Sequence, residues 1–182
     1  MQDGNALIKV DLVEKVGVES GMKVGDLGCG NLGFFSFPAA KAVGKDGIVY
    51  AVDILKPVLS AVESKARQDG YDNIQTVWSN LEMVGATKIQ EGSLDIALLV
   101  NMLFQSKKDD LVIREASRLV KRGGKVVVVD WLKIAAPFGP AVEDRTNPDE
   151  IKKFSVDAGL KLLDEFDAGP YHYGIVFEKA YK

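Results

Sequence analysis

Short, continuous apolar runs alternate along the chain with segments whose apolar residues recur at helical spacing. Continuous runs are typical of strands covered on both faces, and they predict strands at 22–28, 47–55, 73–80, 93–102 and 125–132. The amphipathic segments predict helices at 32–44, 56–70, 109–124 and 147–159, with a further short helix within residues 1–20. This regular alternation favours a parallel sheet with right-handed crossovers.

The end of the chain departs from the alternation. Residues 160–169 and 171–180 both predict strands, and only a short turn separates them. Because a tight turn joins only antiparallel strands, the final strand should run against the others. We therefore expect an α/β fold whose sheet is mostly parallel and ends in an antiparallel hairpin strand.

Composition narrows the class of protein. The 182 residues are 47% apolar and 27% charged, which is typical of one globular domain, here 1–182. The formal net charge of −3 provides no general attraction to nucleic acid or to a membrane surface, and we expect neither as a partner. Cys29 is the only cysteine, so the chain offers no cysteine-rich metal site, and we expect no metal. No signal-like or membrane-spanning run is present, which predicts a cytoplasmic protein.

A glycine-rich turn follows the first predicted strand. Gly28, Gly30 and Gly33 have the spacing G-x-G-x-x-G and stand immediately before a predicted helix. Small residues there allow a nucleotide to approach the backbone and the helix N-terminus. Asp53 ends the second strand, 20 residues past Gly33, where a carboxylate can accept hydrogen bonds from both hydroxyls of a ribose. The glycines alone fit either a nicotinamide or flavin dinucleotide or S-adenosylmethionine.

Asp26 separates these two classes of cofactor. A carboxylate at the turn opposes an anionic pyrophosphate, whereas it favours the ammonium and sulfonium groups of S-adenosylmethionine. The runs VGDLGCG at 24–30 and VYAVDI at 49–54 resemble the first motif and the ribose-binding position of class I S-adenosylmethionine-dependent methyltransferases. The resemblance covers nearly the whole chain. The chain differs from the family at Leu32, which stands where the family has its third glycine. Because a glycine follows at position 33, we interpret the turn as longer by one residue.

The resemblance implies a fold and a set of cofactor contacts. The fold is a Rossmann-like, doubly wound, seven-stranded sheet in the order 3-2-1-4-5-7-6. The turn would contact the methionyl and ribose part of the cofactor, and the end of the second strand would contact the ribose hydroxyls. The residues after the second and third strands would contact the adenine, and the residue after the fourth strand would contact the methionyl end. The residues at these positions are Asp26, Gly28, Cys29, Gly30, Asp53, Ile54, Asn80, Leu81 and Asn101.

Two residues are candidates for acid–base chemistry. Asp130 ends the fifth strand, and His172 begins the antiparallel strand, so both should lie at the edge where the parallel strands end. Histidine has a pKa suited to proton transfer near neutral pH. Asp130 could instead bind loop amides, and His172 could be a turn residue. The long irregular stretch at 132–147 predicts either a lid over the substrate or a plain surface connection.

The function predicted from these features is methyl transfer from S-adenosylmethionine, with S-adenosylhomocysteine as product, to a small-molecule acceptor. Two alternatives remain open at this point: an NAD(P)-dependent Rossmann oxidoreductase, and a catalytically inactive S-adenosylmethionine-binding module. We expect a monomer or a homodimer. The short segment before the first strand predicts little cover for the site from that side of the sheet.

Overall fold

The computed structural model describes residues 4–30 and 32–181. Its strands are β1 (Lys23–Leu27), β2 (Ile48–Asp53), β3 (Ile74–Trp78), β4 (Leu94–Val100), β5 (Val120–Trp131), β6 (Leu160–Gly169) and β7 (His172–Lys179). Its α-helices are α1 (Leu12–Lys15), α2 (Ser36–Val43), α3 (Lys56–Asp69), α4 (Asp109–Leu119) and α5 (Pro148–Asp157). Short 3-10 turns occupy Gly4–Leu7, Leu103–Gln105 and Val142–Asp144.

The seven strands form one sheet in the order β3-β2-β1-β4-β5-β7-β6. The pairs among β1 to β5 are parallel, whereas β7 runs antiparallel to both β5 and β6. The predicted α/β fold, strand order and antiparallel hairpin are therefore confirmed. The register places Trp131 opposite His172, so the start of β7 does lie at the edge where the parallel strands end.

Helices cover both faces of the sheet, and this accounts for the continuous apolar runs. Side chains of α4 and α5 pack on one face, against alternate residues such as Leu99 and Val128. Side chains of α1, α2 and α3 pack on the other, against residues such as Leu98 and Ala51. Successive residues of β4 and β5 are consequently buried whichever face they point to, which is the usual condition of a central parallel strand.

Several predicted boundaries differ from the structure. The helix expected over 109–124 ends at Leu119, because Val120 pairs with Leu94 and an irregularity in the ladder follows before Lys125 pairs with Ile96. The helix expected within 1–20 is a 3-10 turn followed by the four-residue α1, and residues 1–3 of that prediction lie outside the described residues. No helix in 4–30 or 32–181 is long and apolar enough to cross a membrane.

Candidate active site

A cleft runs along the edge of the sheet where the parallel strands end. It consists of two cavities that share Gly28, Gly30 and Gln105. The first, which we call the β2–β3 cavity, has a volume of about 470 Å³ and is lined by the ends of those strands, including Asp53 and Asn80. The second, the β4–β5 cavity, has a volume of about 820 Å³. Its walls come from the residues that follow β4 and β5, from the loop after β5 and from the N-terminal segment.

The glycine turn separates the two cavities and depends on positive φ angles. The amides of Gly28 and Cys29 both donate to the carbonyl of Val52, at 2.8 and 3.0 Å, which fixes the turn to the end of β2. Gly28 has a φ of 91°, and a Cβ there would stand 2.6 Å from Cγ of Met102. Gly30 has a φ of 65°, and a Cβ there would meet nothing within 4 Å, because that side of the residue faces the open cleft. A side chain at position 30 would therefore project into the space between the cavities.

Asp53 stands at the mouth of the β2–β3 cavity. Its Oδ2 accepts from the Gly30 amide at 3.2 Å, and its Oδ1 accepts from the Leu55 amide at 2.9 Å. Each carboxylate oxygen keeps a further lone pair for a ligand, since an ionised carboxylate has about four acceptor sites. The predicted neighbours Ile54, Asn80 and Leu81 line the same cavity. Gly28 and Gly30 also line it, so the structure brings six of the predicted cofactor residues together around one space.

A buried carboxylate that the sequence analysis missed is linked through Thr87 to Ser79, which lines this cavity. Glu115 of α4 accepts from the amides of Gly85 and Thr87 and from the guanidinium of Arg118. Burial opposes its ionisation, but these hydrogen bonds outweigh burial and lower the pKa of Glu115 to about 2. Thr87 in turn shares a 2.9 Å hydrogen bond with Ser79, which is beside Asn80. The sequence does contain a signal for this residue, because Glu115 occupies a position on the apolar face of an amphipathic helix.

Two predicted cofactor residues have different surroundings from those expected. Asp26 is 2% exposed, its side chain accepts a hydrogen bond from the Ser36 hydroxyl, and it does not line either cavity. Its hydrogen bond with Ser36 joins β1 to the start of α2, and burial raises the pKa of its carboxyl to about 6. Cys29 lines the β4–β5 cavity, and burial raises the pKa of its thiol well above the usual range. The thiol is therefore protonated, which fits a small spacer better than a nucleophile.

Asn101 lines the β4–β5 cavity and connects the side chains of Asn5 and His172. It is the only residue other than glycine with a positive φ, 50°, in the described parts of the chain. Its Nδ2 donates to Oδ1 of Asn5 at 2.9 Å, and its Oδ1 lies 2.9 Å from Nε2 of His172. The predicted place of Asn101 at the cleft therefore agrees with the geometry.

The position of His172 contradicts the prediction that it is a general base. The ring is fully buried, packs against Trp131 in a tilted arrangement with ring centroids 4.3 Å apart, and does not line the cleft. Burial and, less strongly, the charge of Arg145 lower the pKa of His172 to about 4. A base must reach the proton that it removes, and Asn101 stands between His172 and the cavity.

The second acid–base candidate, Asp130, is also corrected. Its side chain is fully buried and accepts from the amides of Trp131 and Phe104, at 2.8 and 3.2 Å. It does not line either cavity. Burial raises the pKa of this carboxyl to about 7. Asp130 thus holds the turn after β4 against the end of β5, which is the loop-binding role considered for it from the sequence.

The raised pKa of Asp130 predicts a pH dependence of stability. Its folded-state pKa lies above the unfolded value, so its contribution to the free energy of unfolding is greatest in acid and is lost as pH rises through about 7. Asp130→Asn should therefore destabilise the protein more at pH 5 than at pH 8, and urea unfolding of both proteins at the two pH values measures this difference. An equal effect at both pH values would contradict the assignment.

The loop at 132–147 covers the β4–β5 cavity through Phe138, Gly139 and Pro140. Arg145, which is 3% exposed, holds it in place with hydrogen bonds to three main-chain carbonyls, those of Leu132, Ile134 and Pro140. Its guanidinium also lies over the Trp131 ring, 5.2 Å from the centroid. These contacts support the interpretation of residues 132–147 as a lid over the site. Because Arg145 anchors this loop, we call residues 132–147 the roof of the cavity.

Loss of Arg145 should loosen this roof. Arg145→Ala removes four hydrogen bonds from a charged donor, and each such bond contributes about 1.5–3 kcal/mol. We expect faster amide hydrogen exchange over 132–141, with little change in the strands. Arg114→Ala, at an exposed position of α4, is the matched control and should leave this exchange unchanged. Equal exchange in the two variants would show that the roof does not depend on Arg145.

The N-terminal segment also covers the site, contrary to the expectation from the sequence. Gly4 and Asn5 line the β4–β5 cavity, and a Cβ on Gly4 would stand 2.7 Å from the Trp131 ring. The amide of Lys9 donates to the carbonyl of Ala168, which ties the segment to the end of β6. The sequence carried no local signal for this contact, because it joins residues about 160 positions apart.

Comparison with known proteins identifies the family. The family described as "Methyltransferase domain" matches residues 18–155, so the chain belongs to the methyltransferase-domain family. The expected resemblance is confirmed, and the oxidoreductase alternative lies outside this family. A solved structure of a SAM-dependent methyltransferase from Aquifex aeolicus shares the fold, with a TM-score of 0.87, 23% identity, and coverage of 98% of this chain and 94% of that one.

Two curated relatives are similar in sequence. A demethylmenaquinone methyltransferase from Lactococcus lactis is 26% identical over 124 residues, which is 68% of this chain and 48% of the relative. A ubiquinone/menaquinone biosynthesis C-methyltransferase, UbiE, from Hahella chejuensis is 29% identical over 162 residues, or 88% and 61%. The chain therefore spans about half to three-fifths of the length of these relatives.

Proposed function

We propose that this chain binds S-adenosylmethionine in the β2–β3 cavity and transfers its methyl group to a small molecule bound in the β4–β5 cavity. The proposal rests on one observation: the two cavities of the cleft differ in the charge of their lining residues. The β2–β3 cavity contains the carboxylate of Asp53, while the described residues that line the β4–β5 cavity include no charged side chain. A polar cofactor and an uncharged acceptor would meet at the glycine turn.

The residues of the β2–β3 cavity fit the cofactor. The free lone pairs of Asp53 can accept from two ribose hydroxyls, and its charge would oppose a 2′-phosphate. Ile54 is half exposed and Leu81 is buried, and both line the cavity, so both offer apolar surface to an adenine ring. When bound, S-adenosylmethionine supplies a methyl group that its sulfonium has already activated toward attack.

The contribution of the protein to the reaction is then mainly positioning. Among the described residues, the polar side chains that line the β4–β5 cavity include Asn5, Cys29, Asn101 and Gln105, and neither amides nor a protonated thiol accept a proton readily near neutral pH. The acceptor would therefore attack with its own lone pair and release any proton that it carries to solvent after the transfer. Alignment of two reactants in a closed space can supply about 7–11 kcal/mol of the barrier.

The walls of the β4–β5 cavity also favour a class of acceptor. Phe104, Trp131 and Phe138 contribute aromatic surface, and Leu32, Val100 and Pro140 add aliphatic surface. Such walls suit a planar, largely apolar molecule. The names of the relatives, which refer to ubiquinone and menaquinone biosynthesis, agree with an acceptor of this kind.

Calorimetry tests the cofactor half of the proposal. Titration with S-adenosylmethionine and S-adenosylhomocysteine should show one site per chain, whereas NAD and NADPH should show no binding. Incubation with methyl-labelled S-adenosylmethionine and a panel of phenols, quinols, carboxylic acids and amines should label the uncharged planar members. Tight binding of NADPH would overturn the proposal, and cofactor binding without transfer to any member would favour an inactive binding module.

A further inference from the structure

Asn101 is held in a conformation that its backbone does not favour, and both ends of its side chain are bound. A φ of 50° is uncommon outside glycine, although asparagine tolerates it better than most residues. The backbone amide donates to the carbonyl of Val129 at 2.8 Å, and the backbone carbonyl accepts from Nε2 of Gln105 at 2.9 Å. Asn101 is thus fixed between β4 and β5 at the wall of the β4–β5 cavity.

With the Asn101 amide oriented as it is, the side-chain hydrogen bonds point to Nε2 as the ring nitrogen of His172 that carries the proton. Since Nδ2 of Asn101 donates to Oδ1 of Asn5, the Oδ1 of Asn101 is the end that faces His172. A carbonyl oxygen only accepts, so Nε2 of His172 must be protonated to donate across the 2.9 Å separation. The other nitrogen, Nδ1, is buried and has no hydrogen-bond partner among the described residues. A neutral ring with the proton on Nε2 satisfies this arrangement.

The surroundings of the ring also disfavour its charged form. Trp131 packs against it from β5, and Arg145 is the charged side chain whose field acts on it among the described residues. No carboxylate among the described residues accepts a hydrogen bond from either ring nitrogen. His172 is therefore suited to donate one hydrogen bond continuously and is unsuited to exchange a proton.

We propose that His172 is a positioning residue for the acceptor site: its Nε2–H fixes which end of the Asn101 amide faces each side. With the oxygen held by His172 and one N–H held by Asn5, the remaining N–H of Asn101 is the group offered to a ligand at the cavity wall. This N–H would select an acceptor molecule that carries a hydrogen-bond-accepting oxygen. The part of the proposal that concerns the acceptor rests on the proposed methyltransferase function.

Nuclear magnetic resonance tests the proton position directly. His172 is the only histidine in the sequence, so after removal of any affinity tag the nitrogen spectrum of the ring is unambiguous. We expect a neutral ring protonated at Nε2 and no titration between about pH 5.5 and 8, where an ordinary histidine would titrate. A proton on Nδ1, or a midpoint near the ordinary value, would overturn the proposal whether or not the protein binds S-adenosylmethionine.

A pair of variants tests the consequence for Asn101. Glutamine at 172 can place an amide N–H near the position of Nε2, whereas asparagine places it near Nδ1. His172→Gln should leave the side-chain amide resonances of Asn101 near those of the native protein, and His172→Asn should shift them. Equal behaviour of the two variants, with matched thermal unfolding, would mean that the Nε2 donor does not position Asn101.

The same pair separates this proposal from the proposed function. Both variants should bind S-adenosylhomocysteine within about twofold of the native protein, because His172 does not line the β2–β3 cavity. With an acceptor from the panel, His172→Asn should lower kcat/KM by about tenfold, the equivalent of one hydrogen bond, and His172→Gln should restore most of it. A native protein that does not bind S-adenosylhomocysteine would contradict the proposed function while leaving the result on the proton position intact.

Discussion

Gly30→Val is expected to abolish cofactor binding while the protein remains folded. A Cβ at position 30 points into open cleft, so the two methyl groups of valine would occupy the space where the two cavities meet. We expect the affinity for S-adenosylhomocysteine to fall by more than about 100-fold, or about 2.7 kcal/mol, as measured by calorimetry.

The control for this variant must reproduce its backbone strain without entering the cleft. Gly92 has a φ of 63°, close to the 65° of Gly30, and a Cβ there also meets nothing within 4 Å. It lies in the exposed turn before β4, at the opposite edge of the sheet. Gly92→Val should lose a similar amount of stability, about 1–3 kcal/mol, and keep its affinity. Retained affinity in Gly30→Val would show that the cofactor does not pass the glycine turn.

Asp53→Ala should weaken the binding of S-adenosylmethionine by about 1.5–3 kcal/mol, which is a loss of about 10- to 150-fold. The variant removes the acceptors proposed for the ribose and also frees the Gly30 amide, which Asp53 now holds at 3.2 Å. Both effects act on the cofactor site, so the loss should appear in the dissociation constant of S-adenosylhomocysteine as well.

Two further variants of aspartate residues distinguish the causes of this loss. Asp157→Ala removes a carboxylate from the exposed end of α5 and should leave the affinity unchanged, which excludes an effect of net charge. Asp53→Asn keeps one acceptor oxygen and should lie between the native protein and the alanine variant. An unchanged affinity in a folded Asp53→Ala protein would remove Asp53 from the proposed site.

The sheet and the cofactor half of the cleft could be predicted from the sequence because their signals are local. Buried parallel strands appear as apolar runs, and the residue that ends such a run must lie at the cleft edge. Asp53 and Asn80 were placed in this way, and both line the β2–β3 cavity. Position along a strand, however, does not show which way a side chain points. His172 and Asp130 lie at the predicted edge, yet both are buried beneath it.

The acceptor half of the cleft could not be predicted because distant segments form it. Asn5 reaches Asn101 across about 95 residues of chain, and Arg145 binds carbonyls of the loop that precedes it. Main-chain carbonyls leave no trace in a sequence, so a buried arginine that binds them resembles a surface charge. Only the three-dimensional arrangement shows that Arg145 shapes the cavity.

The way in which the roof is attached has a consequence for protein engineering. Arg145 binds main-chain carbonyls of residues 132–140, and every amino acid supplies such a carbonyl. The side chain of Phe138, which lines the β4–β5 cavity, can therefore be randomised while the scaffold that carries it stays anchored. A library at this position, with Arg145 retained, offers a direct route to variants with an altered preference for the proposed acceptor.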